Sequence, residues 1–347
     1  FGPIWGAAIV AALSDWRLVF WLNLPLGLAV VGGMWLESRA GSEPGGGAVA
    51  SGERRVDWLS AGLLGVGLGL VVLALYPDDP TRQAVNQHWR PLLLLAACVL
   101  GGFGWLQSRR LAPLVGPGLL RSRSFWAALA ANVLAGAALM VALVEVPLLG
   151  RGVFALSTLQ AGLLLTRFLV GVPLGAVLGG WLAQRWDRRA VIVAGLVLAG
   201  LAFAIMAFWR VDELRVAPAA ALAELVVAGF GFGLIIAPLT ATVLDLAGTA
   251  EHGIASSLVV LARTVGMVVG LAGLTAFGLA RFQVIFARQG CRISGSADLQ
   301  SQIAALETCA RAALLLEYRE IFTVASAICV LAAAVSLLTA PPAAARA

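Results

Sequence analysis

Five charged side chains set within or beside long apolar runs are the residues of this sequence best placed to do chemistry: Glu145, Arg167, Glu224, Arg263 and, at a boundary, Asp245. A charge at mid-bilayer costs at least ~2.5–3.5 kcal/mol on insertion scales, so such residues persist where they pair, carry protons or border a wet path. Glu145 stands two residues before Pro147, near the end of one run, and Arg167 lies nine residues into the next. At ~1.5 Å rise per residue, an arginine reaching outward can meet that carboxylate. One expectation is therefore a Glu145–Arg167 pair beside a cavity; the other is two interfacial side chains reaching separately for the surface. Glu224 lies shallowly, either as an acid that gains and loses a proton or as a group that faces water. Arg263 lies deeper and is expected to pair with Asp245 or a helix C-terminus, as a structural gate.

Enzyme chemistry has little to stand on. The two histidines, His88 and His252, are far apart and sit outside the apolar runs. Neither Cys/His metal spacing, nor a nucleophile elbow, nor a phosphate loop with lysine is present. No cofactor is expected, and energy for any transport would come from a proton gradient. Cys291 and Cys309 share one polar segment; on an oxidising side a bond between them would contribute about 3 kcal/mol, and otherwise they are free thiols. Cys98 and Cys329 lie within apolar runs and read as packing residues.

The elements that must position these groups are membrane helices. Hydrophobic residues make up 61% of the chain and charged residues only 12%, too few to cover a water-facing exterior, and the mean hydropathy is +0.94. Lipid must be the solvent. Apolar runs of spanning length, about 20 residues, fall near 18–36, 58–76, 91–107, 125–148, 158–182, 190–209, 218–243, 254–280 and 320–340, after a shorter one at 1–13. That predicts an all-α polytopic bundle of about ten spans, the first incomplete, in the cell membrane. The net charge is +6 and every basic residue is arginine, placed mainly in short loops and not gathered on one stripe. This argues against nucleic acid as a partner and for topology control. With QRWDRR at 184–189 cytoplasmic, the short inner loops hold ten arginines against six in the short outer ones. The segment 281–319, read as an outer loop whose second part is helical, adds five on the outside.

Two glycine patterns speak to packing. Gly171, Gly175 and Gly179 recur at four-residue spacing around Pro173, which puts three glycines on one helix face for close contact or hinge action. Ala262, Gly266 and Gly270 form a second small-residue row beside Arg263. The run GFGFG at 229–233 superficially suggests a nucleotide loop, but no strand precedes it, so it reads as helix packing.

Three stretches resemble the major facilitator superfamily in its fourteen-helix drug:proton antiporter branch. In FGPIWGAAIVAALSDWRLVFWLNLP, residues Gly2, Pro3 and Gly6 resemble the end of that branch's antiporter motif, with Ala7 in place of a customary glycine. Trp16, Arg17, Phe20, Asn23 and Pro25 resemble the link into its next helix. In GGWLAQRWDRRAVIVAG, Gly180, Leu182, Arg185, Arg188 and Arg189 match the family's cytoplasmic-loop motif. Gln184 stands where the family prefers Asp, and Asp187 where it prefers Gly. The stretch from Gly229 to Ala272 resembles the family's penultimate helix pair.

The resemblance implies a major facilitator fold with ten of fourteen spans present. Residues 1–36 would be the last two helices of the N-terminal bundle, 37–57 a cytoplasmic linker, 58–107 two central linking helices, and 125–340 the six-helix C-terminal bundle. It implies proton-coupled efflux of small drug-like or hydrophobic compounds by alternating access, with Glu145 the best visible coupling acid. Alternatives are a carrier of one specific metabolite on the same fold, or a non-transporting scaffold subunit. Lacking helices one to four, the chain has no partner wall for its cavity and is expected not to transport alone.

Overall fold

The computed structural model describes residues 17–40, 58–75, 86–109, 119, 122–247, 252–288 and 299–339. Within them every long element is a helix: α1 (Arg17–Ala40), α2 (Trp58–Leu75), α3 (Trp89–Arg109), α4 (Arg123–Gly152), α5 (Thr158–Arg185), α6 (Arg188–Met206), the single-turn α7 (Glu213–Val216), α8 (Pro218–Leu246), α9 (His252–Arg288) and α10 (Leu299–Ser336). A helix covers each of the nine expected runs from 18 onward. Seven are long and apolar enough to cross a membrane, and Gly62–Leu75 is a shorter apolar helix. The run at 1–13, with Gly2, Pro3 and Gly6, lies outside the described residues, as do 41–57 of the linker and Cys291.

Local chemistry starts several of these helices. The Ser122 hydroxyl accepts from the Phe125 N–H at 3.3 Å at the head of α4. Ser157 and Gln160 form a reciprocal capping box at α5, each side chain accepting from the other's backbone. The Asp187 carboxylate accepts from the Arg189 N–H at 3.1 Å and opens α6. Pro218 occupies the first turn of α8, where its missing N–H has no helical partner to lose.

The core gathers α4, α5, α6, α8 and α10, and α9 packs chiefly along α4. Phe168 of α5, Phe232 of α8, Phe203 of α6 and Phe322 of α10 form a chain of rings with centroids 5.9, 5.9 and 6.1 Å apart. Helices α2 and α3 pair as a hairpin that touches α9. In α1 the side chains of Trp21, Leu28 and Leu36 are well exposed, a surface that lipid or another helix can cover but water cannot.

The second part of the segment 281–319 is helical as expected, whereas the helical course of 281–288 differs from the expected loop. The segment 281–319 is helical over 281–288 and 299–319, continuous with α9 and α10. Those helices contain 37 and 38 residues, or ~55 Å each at 1.5 Å per residue against a hydrocarbon core of ~30 Å. Hydropathy marks where a helix leaves lipid, and backbone hydrogen bonding carries it onward.

Candidate functional site

The bundle is drawn together by glycine. A Cβ at Gly171, Gly175 or Gly179 of α5 would press on the carbonyls of Val226, Phe230 and Leu234 in α8. Reciprocally, Gly229 and Gly233 of α8 abut the carbonyls of Phe168 and Val172. Gly231, between those two, faces the other way onto Gly195 and Ala199 of α6. The GFGFG run therefore lets one helix touch two neighbours backbone to backbone while Phe232 fills the core. On the other flank, Gly136 of α4 meets the Arg263 backbone, and Gly266 and Gly270 of α9 meet Val133 and Ala137.

That second seam carries a polar contact. Arg263 Nη2 donates to Asn132 Oδ1 at 3.3 Å, and Asn132 Nδ2 donates to the Ala128 carbonyl at 3.0 Å. Asn132 is fully buried. The expected Arg263–Asp245 pair does not form. Asp245 is held instead by Arg188, whose Nη1 contacts Oδ2. Asp245 ends α8 and Arg188 begins α6, at one end of the bundle, whereas the glycine seam holds Arg263 one helical layer away against α4. At that same end Arg185 stacks on Trp181, with its guanidinium 4.2 Å from the ring centroid. Gly180 approaches Ala237, and Arg189 keeps a buried Nε with no acceptor among the described residues.

The opposite end holds Glu145, Glu317 and Glu320. Glu145 is 6% exposed, which makes it the most buried acid among the described residues. The expected Glu145–Arg167 pair is absent from the described ion pairs, because Arg167 is exposed on α5 while Glu145 faces inward from α4. What lies within electrostatic reach of Glu145 is Glu317 and Tyr318 of α10. Glu317 in turn fills the space beside Gly278 of α9. Three residues on, Arg281 of α9 grips Glu320 of α10 through Nε and Nη2 at 2.5 and 2.6 Å, a fork-to-fork pair tying the two helices.

Glu224 does not simply face water: its Oε2 accepts from Trp209 Nε1 at 2.6 Å. The Trp209 carbonyl accepts from Arg319 Nη2 at 3.4 Å, so α8, the stretch after α6 and α10 share one polar chain. Cys309 is disulfide-bonded, while Cys98 and Cys329 are free. No group of three or more His, Cys, Asp or Glu side chains suited to a metal occurs among the described residues.

Asn132, Trp209, Glu317 and Tyr318 escaped sequence reasoning. Asn132 had a usable signal, as a lone amide in the apolar run 125–148. Glu317 had none, since in the charged stretch EYRE of a segment read as helical nothing marks which way its side chain turns.

A bundle of spanning helices with glycine seams and a few buried polar groups suits a transporter among other membrane proteins, and comparison with known sequences decides the family. Residues 1–271 match the family model of the Major Facilitator Superfamily. The chain belongs to the major facilitator superfamily. Similar curated proteins include a triacylglyceride transporter of Mycobacterium tuberculosis, 39% identical over 350 residues that cover 97% of this chain and 66% of that protein. A triacylglyceride transporter of Mycolicibacterium smegmatis is 38% identical over 350 residues, 97% of this chain and 61% of its own length. A probable triacylglyceride transporter of Mycobacterium leprae is 36% identical over 346 residues, 97% of this chain and 67% of its own length. The chain thus spans about two thirds of these relatives. As a member of this superfamily it is a multi-pass membrane protein of a transporter family and not an enzyme.

Proposed function

We propose that this chain forms the C-terminal bundle, linking helices and part of the N-terminal bundle of a proton-coupled exporter of strongly apolar compounds, of the triacylglyceride class, working by alternating access. The observation that carries the reading is similarity along 97% of the chain to proteins named as triacylglyceride transporters. The geometry supports it. Glu145 is a buried carboxylate in a mainly apolar helix, and an acid of that kind can bind and release a proton as a cavity opens to either side. In this reading the chain is a portion of a fourteen-helix antiporter, and helices contributed from outside it complete the cavity wall. Glu145 is the coupling acid of this half, Arg263 a gate held through Asn132, and the Arg188–Asp245 pair a latch at the cytoplasmic end.

Drug-like compounds are the second reading, favoured by the antiporter-branch resemblance of Gly2, Pro3 and Gly6. The test is movement of labelled triacylglyceride and of ethidium in proteoliposomes under an imposed pH gradient. It is run on this chain alone and on this chain supplied with helices one to four of a relative. The expected result is gradient-dependent triacylglyceride transfer only in the supplemented sample, abolished by Glu145→Gln. Ethidium transfer instead selects the drug reading. Transfer that ignores the gradient removes proton coupling. A supplemented sample that moves neither compound, with correct insertion verified, points to a scaffold.

A further inference from the structure

At the end of the bundle where α4 and α6 finish and α5 and α8 begin, a partly open cavity of about 550 Å³ lies apart from Glu145 and from both glycine seams. Its size is that of a small-molecule site, which typically runs to roughly 300–1,000 Å³. The floor is apolar, with Val153, Phe154 and Leu156 from the α4–α5 turn and Leu214 from α7. That turn is firmly built. The Val153 and Phe154 N–H groups both return to the Leu149 carbonyl, and the Leu156 N–H bonds the Gly150 carbonyl at 2.9 Å. Two guanidiniums, Arg215 and Arg311, face the same cavity. Arg215 is exposed and makes no ion pair among the described residues. Arg311 has only a loose contact to Glu307, 3.6 Å away with both side chains well exposed, which contributes little. Asp212 is the one acid in the lining, so the cavity wall is cationic on balance.

An apolar lining beside two under-neutralised arginines, at one end of the bundle, matches a molecule with a hydrocarbon tail and an anionic head. We propose that this cavity binds an anionic amphiphile, its phosphate or carboxylate held between Arg215 and Arg311 and the start of its chain laid on Phe154, Leu156 and Leu214. Arginine suits the role because its planar fork takes up oxyanions and its charge persists at every physiological pH. Occupation of the site needs no transport.

The test is calorimetric titration of the purified full chain in neutral maltoside detergent with dodecyl phosphate, and separately with inorganic phosphate. Dodecyl phosphate should saturate a single site, and Arg215→Gln/Arg311→Gln should weaken it at least tenfold while leaving thermal unfolding in detergent unchanged, since both side chains are on the surface. Asp212→Asn should tighten it a few-fold by removing a like charge. Inorganic phosphate should not saturate over the same range. Unchanged affinity in the double variant, weaker binding in Asp212→Asn, or inorganic phosphate binding as tightly as dodecyl phosphate would each overturn the proposal, the last by showing that the apolar floor plays no part.

Discussion

The α5–α8 and α4–α9 seams use the same device and put it to different ends. Along α5–α8 five glycines, three on one helix and two on the other, bring the backbones together with nothing charged between them. Along α4–α9 three glycines do the same, but a half-buried arginine and a fully buried asparagine share the seam. In lipid there is little hydrophobic force between helices, so close backbone packing supplies the attraction and any buried polar group must find a partner. The dry seam is a fixed weld. The polar seam can exist in a second arrangement if Arg263 finds another acceptor, and it lies on the helix that also reaches Glu317 through Gly278. Buried charge therefore enters the contact between helices on the flank of α4, α9 and α10, whereas Glu224 and Asp245 of α8 and the exposed Arg167 of α5 lie outside the α5–α8 seam.

The sharpest way to break this contrast is to add bulk to the dry seam. Gly175→Leu should separate α5 from α8 and cost more than ~3 kcal/mol, enough to lose folded protein, because the neighbouring atoms are rigid backbone. Thermal unfolding and size-exclusion recovery in detergent would read it. If Gly175→Leu is tolerated like a surface change, the weld is not rigid. Next in size is the polar seam. Asn132→Ala removes the acceptor from a half-buried guanidinium and should cost about 1–3 kcal/mol. A double-mutant cycle with Arg263→Met should return a coupling of at least ~0.5 kcal/mol, and a coupling of zero would make the contact incidental.

A smaller gain is expected from Ala155→Gly. Ala155 holds φ = 54° in the α4–α5 turn, the left-handed region that costs a non-glycine residue roughly 1 kcal/mol, so unfolding should shift upward by about that amount. The smallest effect belongs to the Arg188–Asp245 latch, whose side chains are 27% and 48% exposed. Asp245→Asn should cost no more than ~1 kcal/mol in stability. In the proposed transport cycle it should instead shift the balance between inward-open and outward-open states, which accessibility labelling of a cysteine placed at Gln184 would detect.

Much of this was legible from residues alone. Apolar runs of spanning length located nine helices, because in lipid a segment of that length has no other way to satisfy its backbone, although α9 and α10 run well past the apolar stretch. The four-residue spacing of Gly171, Gly175 and Gly179 marked a contact face, and the QRWDRR loop marked a helix junction, since periodicity and capping act over a single turn. Partners across the bundle were not legible. Glu145 and Arg167 were read either as a pair, with the deeper arginine reaching outward, or as two separate side chains; position along the axis does not fix rotation about it, and packing turned Arg167 outward and Glu145 toward α10. Arg263 was expected to pair with Asp245 or a helix C-terminus and met Asn132 instead. The sequence by itself determined that the chain lives in lipid, where its helices run and which faces are smooth enough to touch. Only the tertiary structure decided which helix each smooth face meets, and therefore which buried charge faces which group, because that choice depends on fitting whole surfaces together and not on the local order of residues.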